Sequence, residues 1–302
     1  MTRGEVLHTG RRRWREIITA YGYLSPAALV FLIFTLIPAV FVLYISFFHW
    51  NFLNTSLSTY RGLGNYHDLL TSGQFWHSIL VTVYFLLGDV PVGVLLALLI
   101  ALFLMEKVPA RALVRLAVFA PYVTPVVATS IVWVWIFNPQ FGLLNAVLHF
   151  LHLPELGWLG SPHWALIGII IFTLWHSLGF NVIIFLAGLT GVSNELREAA
   201  RIDGASRWQE LWKVVWPLLT PITLFVLVIT SIGALQAFTQ FFTMTAGGPL
   251  AATTTTSYLL YELAFLFYHT GHAAALAVIL FLIIGGLTLI QMGVARSRTF
   301  YQ

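Results

Sequence analysis

The stretch "EAARIDGASRWQELWKVVWPLLTP", residues 198–221, packs Glu198, Arg201, Asp203, Arg207, Glu210 and Lys213 between two long apolar runs. Soluble chains carry about 25% charged residues. Here Asp, Glu, Lys and Arg make up 9% of 302 residues, 59% are hydrophobic, and the mean hydropathy is +0.88. A soluble core has no room for that much apolar surface, so lipid is the solvent for most of the chain. The charged elbow is what projects from it.

Lipid supplies no partners for backbone amides, so an all-α integral membrane protein with uninterrupted helices is expected. A crossing takes about 20 apolar residues. Six segments qualify: 24–48, 78–105, 113–137, 164–190, 214–245 and 273–294. The chain then divides into a basic N-terminal segment (1–23), a six-helix membrane domain (24–295, with the elbow at 191–213) and a short tail (296–302). Pro91, Pro121 and Pro125 fall inside spans and predict kinks or local unwinding. The basic opening resembles that of a signal peptide, but the apolar run behind it is too long and lacks a small-residue cleavage site. It reads as a retained first helix.

Charge sets the orientation. Arg3, Arg11, Arg12, Arg13 and Arg15 precede span one, and Lys107, Arg111 and Arg115 lie between spans two and three. Arg197, Arg201, Arg207 and Lys213 lie in the elbow, and Arg296 and Arg298 follow span six. Fourteen of the fifteen basic residues thus share one side, with Arg61 alone opposite. The positive-inside rule puts both termini and the elbow in the cytoplasm of a multi-pass plasma (inner) membrane protein. Trp133, Trp135, Trp158 and Trp164 read as an aromatic belt on the other side. The outer loop beside them holds a short apolar stretch expected to lie along the membrane surface, and its His149, His152 and His163 lack metal-ligand spacing. Cysteine is absent, which excludes disulfides and thiolate metal sites, and no long internal repeat is evident.

Within the elbow, Ser193 is the expected N-cap, with Glu195 in the first turn. Gly204 is placed to end that helix in a left-handed conformation. Ser206 and Gln209 have capping-box spacing for a second helix. Two short capped helices result. Ala199, Ala200, Gly204 and Ala205 are small enough for another backbone to approach, and Glu198 and Asp203 offer charge-assisted hydrogen bonds.

This elbow resembles the Glu-Ala-Ala signature of permease subunits in binding-protein-dependent ABC importers; Trp216-Pro217 stands where Leu-Pro is usual. "SPAALVFLIFTLIPAVFVLYISFFHWN", "APYVTPVVATSIVWVWIFNPQFGLLN" and "MTAGGPLAATTTTSYLLYELAF" are similar to blocks of the first permease of carbohydrate importers, and "GGPLAATTTTSYLLYELAF" and the closing "FYQ" resemble the sn-glycerol-3-phosphate members especially. The resemblance implies a type I ABC importer permease fold. It makes Glu198, Ala199, Ala200, Asp203, Gly204 and Ala205 a coupling helix that docks on an ATPase. The implied partners are a second homologous permease, two ATPase subunits that hold ATP and Mg, and an extracytoplasmic solute-binding protein. The implied work is translocation of a carbohydrate, or alternatively of a glycerophospho compound, by alternating access.

This chain carries no cofactor or nucleic-acid expectation of its own. Neither of its two lysines, Lys107 and Lys213, follows a glycine, so no Walker A loop exists and ATP hydrolysis belongs to a partner. Asp89 is the lone acid within a span; beside Pro91 it is expected to satisfy freed backbone amides or to meet a polar neighbour. His176 reads as a packing residue. Neutral polar groups are the better candidates for contacting a hydroxylated solute: Thr173, Ser177 and Asn181 in span four, Thr230, Gln236, Thr239 and Gln240 in span five, with Phe180 and Phe238 to stack on sugar faces. Sparse intramembrane charge disfavours an autonomous secondary transporter. His176 beside Ser177 lacks the supporting acid that a membrane hydrolase needs.

Overall fold

The computed structural model describes residues 4–51, 54–105 and 111–296. Arg3, Lys107 and Arg298, used above for orientation, lie outside the described residues, as does the tail from 297 onward. Helix α1 (Gly4–Phe31) passes through a π turn at Leu32–Leu36 into α2 (Ile37–Ile45). A hairpin of β1 (Phe48–His49) and β2 (Thr59–Tyr60) leads to α3 (Gly64–Thr71) and α4 (Gly73–Met105). Then come α5 (Arg111–Val123), α6 (Val126–Ile136), the short outer α7 (Leu143–Phe150) and α8 (Ala165–Thr190). The elbow is α9 (Asn194–Ile202) and α10 (Arg207–Glu210), followed by a π turn at Leu211–Val215 and α11 (Trp216–Leu235). Finally α12 (Thr239–Met244) and α13 (Thr256–Tyr261) precede α14 (Thr270–Arg296).

Among the described residues five helical stretches are long and apolar enough to cross a membrane, and the bent pair α5–α6, taken as one span, makes six. Apart from the short β-hairpin, the fold is the helical membrane-spanning one expected, but three details differ. Span three is not one helix. It breaks at Thr124–Pro125 and turns through 102°, because Pro125 has no N–H to continue the ladder and takes up an extended conformation (φ −56°, ψ 127°). His176 Nε2 lies 3.2 Å from the Thr124 carbonyl at that break. Pro91, by contrast, sits inside an unbroken 33-residue α4. Span five ends at Leu235 rather than near 245, where Ser257 Oγ donates to the Leu235 carbonyl (3.0 Å) and occupies an end of the helix.

The core forms where α4, α8 and α11 meet. In one half, Ala97, Ala101 and Leu104 pack on Phe185 and Leu189, with Val215, Leu219 and Val226 closing the third side. In the other half, Phe85, Phe172 and Phe241 are fully buried, with Phe85 set edge-on to Phe241 at 4.9 Å. Small residues set how closely helices approach in lipid. At Gly179, on α8, an added Cβ would meet the Val118 carbonyl and lie 2.7 Å from Phe119 Cα, both backbone atoms of α5. Gly179→Val is therefore expected to force α5 off α8 at a cost of about 1–3 kcal/mol. A purified variant that melts and elutes like the parent would contradict that close contact.

On the outer side Asn145 is the organiser. Its amide donates to the Pro139 and Leu156 carbonyls (3.0 Å each) and its oxygen accepts from Leu156 N and Trp158 Nε1 (3.2 and 2.7 Å). Trp158 is thus not part of an exposed aromatic belt: it is 7% exposed and belongs to the core. Among the described residues no group of His and acidic side chains is placed to hold a metal. Asp68 ties α3 to the start of α14 through His272 (3.1 Å) and pairs with Arg61 just before α3 (2.8 Å), and these partners hold its carboxyl below the usual range.

Candidate functional site

Two sites emerge, joined by one helix. The first is the elbow. Ser193 Oγ accepts from Glu195 N (3.1 Å) and opens α9. At the other end Gly204 has φ +83°, its N–H donates to the Arg201 carbonyl (3.0 Å), and Ala205 N–H donates to the Ala200 carbonyl (2.9 Å). That pair of bonds is a Schellman ending, which needs a left-handed residue at this position. Ser206 and Gln209 complete the capping box, with Ser206 N donating to Gln209 Oε1 (2.8 Å).

Sequence reading missed the group that holds the two short helices together. Glu210 is 3% exposed, and Arg197 Nε donates to its Oε1 (2.6 Å) while Arg201 Nε donates to its Oε2 (2.8 Å). Arg197 and Arg201 are one helical turn apart and share a face of α9, and that spacing opposite a lone downstream acid was the available signal. Because this face turns inward, the other faces out. Glu198, Ala199, Asp203 and Gly204 are exposed, while Ala200 and Ala205 are half-buried. Ile202, unremarked in the sequence, stands 86% exposed at the end of α9.

The second site is a cavity of about 300 Å³ walled by α4, α8 and α11, with Gln240 from α12 and Tyr122 from the broken crossing. Thr173, Ser177, Phe180, Asn181, Thr230 and Gln240, all singled out in the sequence, line it. Phe85, Asp89 and Tyr122 join them. Tyr122 stacks on Phe180 at 4.8 Å, so the bend at Thr124 brings an aromatic ring onto the cavity wall. Gln236 and Phe238 do not line this cavity. The early end of α11 makes Gln236 an exposed C-cap, and Phe238 instead stacks on Phe242 (5.4 Å). Treating span five as one continuous helix put those two on the wrong face.

The three aliphatic hydroxyls in the cavity donate to carbonyls of their own helices. Thr173 donates to the Ile169 carbonyl (2.8 Å), Ser177 to Thr173 (2.8 Å) and Thr230 to Val226 (2.6 Å). Asp89 was expected to find partners beside Pro91. It finds none: its Oδ1 is buried without a donor among the described residues. The reason is chemical, since a proline vacates a carbonyl's partner and leaves no spare N–H for a carboxylate.

A membrane-spanning helical body that walls a polar, aromatic-lined cavity and carries a charged elbow is the architecture of a transport subunit. Residues 90–297 match the family described as "Binding-protein-dependent transport system inner membrane component". The chain is 32% identical to the trehalose/maltose transport system permease protein MalF of Thermococcus litoralis, over 96% of this chain and 98% of that one. It is 31% identical to the lactose transport system permease protein LacF of Rhizobium radiobacter, over 93% and 95%. In fold it matches a bacterial ABC transporter involved in the import of the acidic polysaccharide alginate, with TM-score 0.84 and 24% identity over 96% of this chain and 100% of that one. The chain belongs to the family of binding-protein-dependent transport system inner membrane components, as an ABC importer permease of the type I fold.

Proposed function

We propose that this chain forms part of the translocation path for a sugar or oligosaccharide, driven by ATP hydrolysis on separate subunits. The observation that carries the reading is the continuity of α8. It walls the cavity through Thr173, Ser177 and Asn181, then runs without a break to Thr190 and into the elbow at Ser193. From Asn181 to Thr190 is about 14 Å at 1.5 Å per residue. A push on the elbow therefore moves a wall of the cavity as one lever.

In this reading Glu198, Ala199, Ala200, Asp203, Gly204 and Ala205, with Ile202 as an apolar knob, form the surface gripped by an ATPase. Two ATPase subunits hold ATP and Mg, a second homologous permease completes the path, and a solute-binding protein delivers cargo from outside. Both termini and the elbow face the cytoplasm. ATP binding closes the ATPases, the elbow moves, and the cavity opens outward; hydrolysis resets it. Relatives from trehalose/maltose and lactose transport systems support a carbohydrate cargo. The cavity lining offers neutral polar groups and stacking rings of the kind that bind sugars.

The test is uptake of radiolabelled trehalose, maltose and lactose into proteoliposomes holding the complete transporter. Entry of at least one sugar is expected only with internal ATP and external binding protein together. Uptake by this chain alone, or uptake indifferent to ATP, would overturn the reading.

A further inference from the structure

We infer that the groove between α5 and α8 seats an anionic phospholipid of the leaflet on the elbow's side, with the lipid phosphate on Arg115 and one acyl chain lying along α8. The inference needs only that these helices lie in a membrane, and it stands apart from the cargo.

Helix α8 has two working faces. Thr173, Ser177 and Asn181 turn to the cavity, whereas Gly179, Ile183, Leu186 and Thr190 line a separate groove of about 530 Å³ shared with α5. Arg115 and Thr190 are the only polar side chains among the residues lining that groove. Both belong to its elbow end, since Thr190 is the last residue of α8 and Arg115 lies one turn into α5. At the other end the helices close on each other, where a Cβ at Gly179 would meet the backbone of Val118 and Phe119. From Gly179 to Thr190 is about 16 Å at 1.5 Å per residue. One leaflet of the hydrocarbon core is about 15 Å thick, so the groove is as deep as a single acyl chain is long. Leu116, Ile183 and Ala187 on its rim are exposed, so it opens outward from this chain.

The cation decides the occupant. Thr190 donates to the Ala187 carbonyl (2.7 Å), but Arg115 has no ion pair or hydrogen bond among the described residues. An arginine at the edge of a span reaches the interface with its head while its stem stays on apolar surface. Its planar fork takes two oxygens of a phosphate at once, and basic pockets between helices suit anionic lipid headgroups. A protein helix in the groove would have to bring a carboxylate to the height of Arg115, and carboxylates are rare within spans. A phospholipid carries its anion at that height, with its chain directly beneath.

The experiment reconstitutes the full chain, with its copurifying subunits, in vesicles of equal parts phosphatidylcholine and phosphatidylglycerol. Ile183, or Leu116 on the opposite wall, is replaced by the photoreactive p-benzoylphenylalanine, and the mass of the adduct is read after illumination. Phosphatidylglycerol is expected to be attached in preference to phosphatidylcholine by at least about fivefold. The same probe at Ile171, exposed on α8 outside the groove, is expected to take the two lipids alike. Arg115→Gln should abolish the preference in the groove, and Arg115→Lys, which keeps the charge, should retain most of it. Adducts to a protein chain would make the groove an interface between subunits. Equal labelling by the two lipids, or a preference that survives Arg115→Gln, would make it ordinary lipid-facing surface. Each of these results overturns the inference, as does the absence of a lipid adduct at both positions.

Discussion

Uptake by Gly204→Pro is expected to drop to background, with the variant chain inserted in the membrane in normal amount. Proline fixes φ near −65° and has no N–H, whereas Gly204 sits at φ +83° and donates to the Arg201 carbonyl. The Schellman ending is then lost, and α9 no longer turns into α10 at the observed angle. Breaking such a backbone position costs about 3 kcal/mol or more. The damage stays local, because Gly204 has open space around it and supports none of the buried clusters. Gly204→Ala is the graded control: it keeps the N–H and meets only the left-handed penalty, about 1–2 kcal/mol, so partial uptake is expected. Ile202→Asp complements both, altering the exposed face without touching the backbone. Copurification of the ATPase with Ile202→Asp should fall at least tenfold, as expected when a buried apolar anchor is replaced by a charge. Undiminished copurification would place the docking surface elsewhere.

The second large effect is expected from removing both arginines that serve Glu210. Arg197→Ala with Arg201→Ala leaves a carboxylate that is 3% exposed without either partner. Breaking a buried pair from one side costs about 3–5 kcal/mol. We expect the lower end, because Arg201 itself is more than half exposed and water reaches its side of the pair. Limited proteolysis should cut the double variant within 193–207 far faster than the parent, and uptake should fall with it. Glu210→Gln, which keeps shape and one acceptor, should be the milder lesion. Equal protease resistance in parent and double variant would mean that the elbow is rigid for reasons other than Glu210.

Much of the elbow was legible in sequence because helix caps are local. Ser193, Gly204, Ser206 and Gln209 act on backbone groups two to five positions away, and the structure gives each of them the role its spacing implied. The Glu210 pairing was less visible: Arg197 and Glu210 are thirteen positions apart, and only the fold of the elbow brings them together. In the cavity, the span-four candidates come together because α8 is a continuous helix along which Thr173, Ser177, Phe180 and Asn181 keep their relative faces. Span five was not. Its polar residues straddle a break, and a helical face cannot be carried through Gln236 to Phe238.

The sequence by itself determined the solvent, the number of crossings and the shape of the elbow. These follow from transfer free energies summed over about twenty residues and from hydrogen bonds between near neighbours, both of which are additive along the chain. Only the tertiary structure decided which polar groups converge. Whether Asp89 faces a partner, a helix end or an empty cavity depends on how α4, α8 and α11 are rotated against one another, and on where α5 and α11 break. Those rotations are set by close packing around residues such as Gly179 and Phe85, where small changes of volume decide the contact and no local pattern reports it.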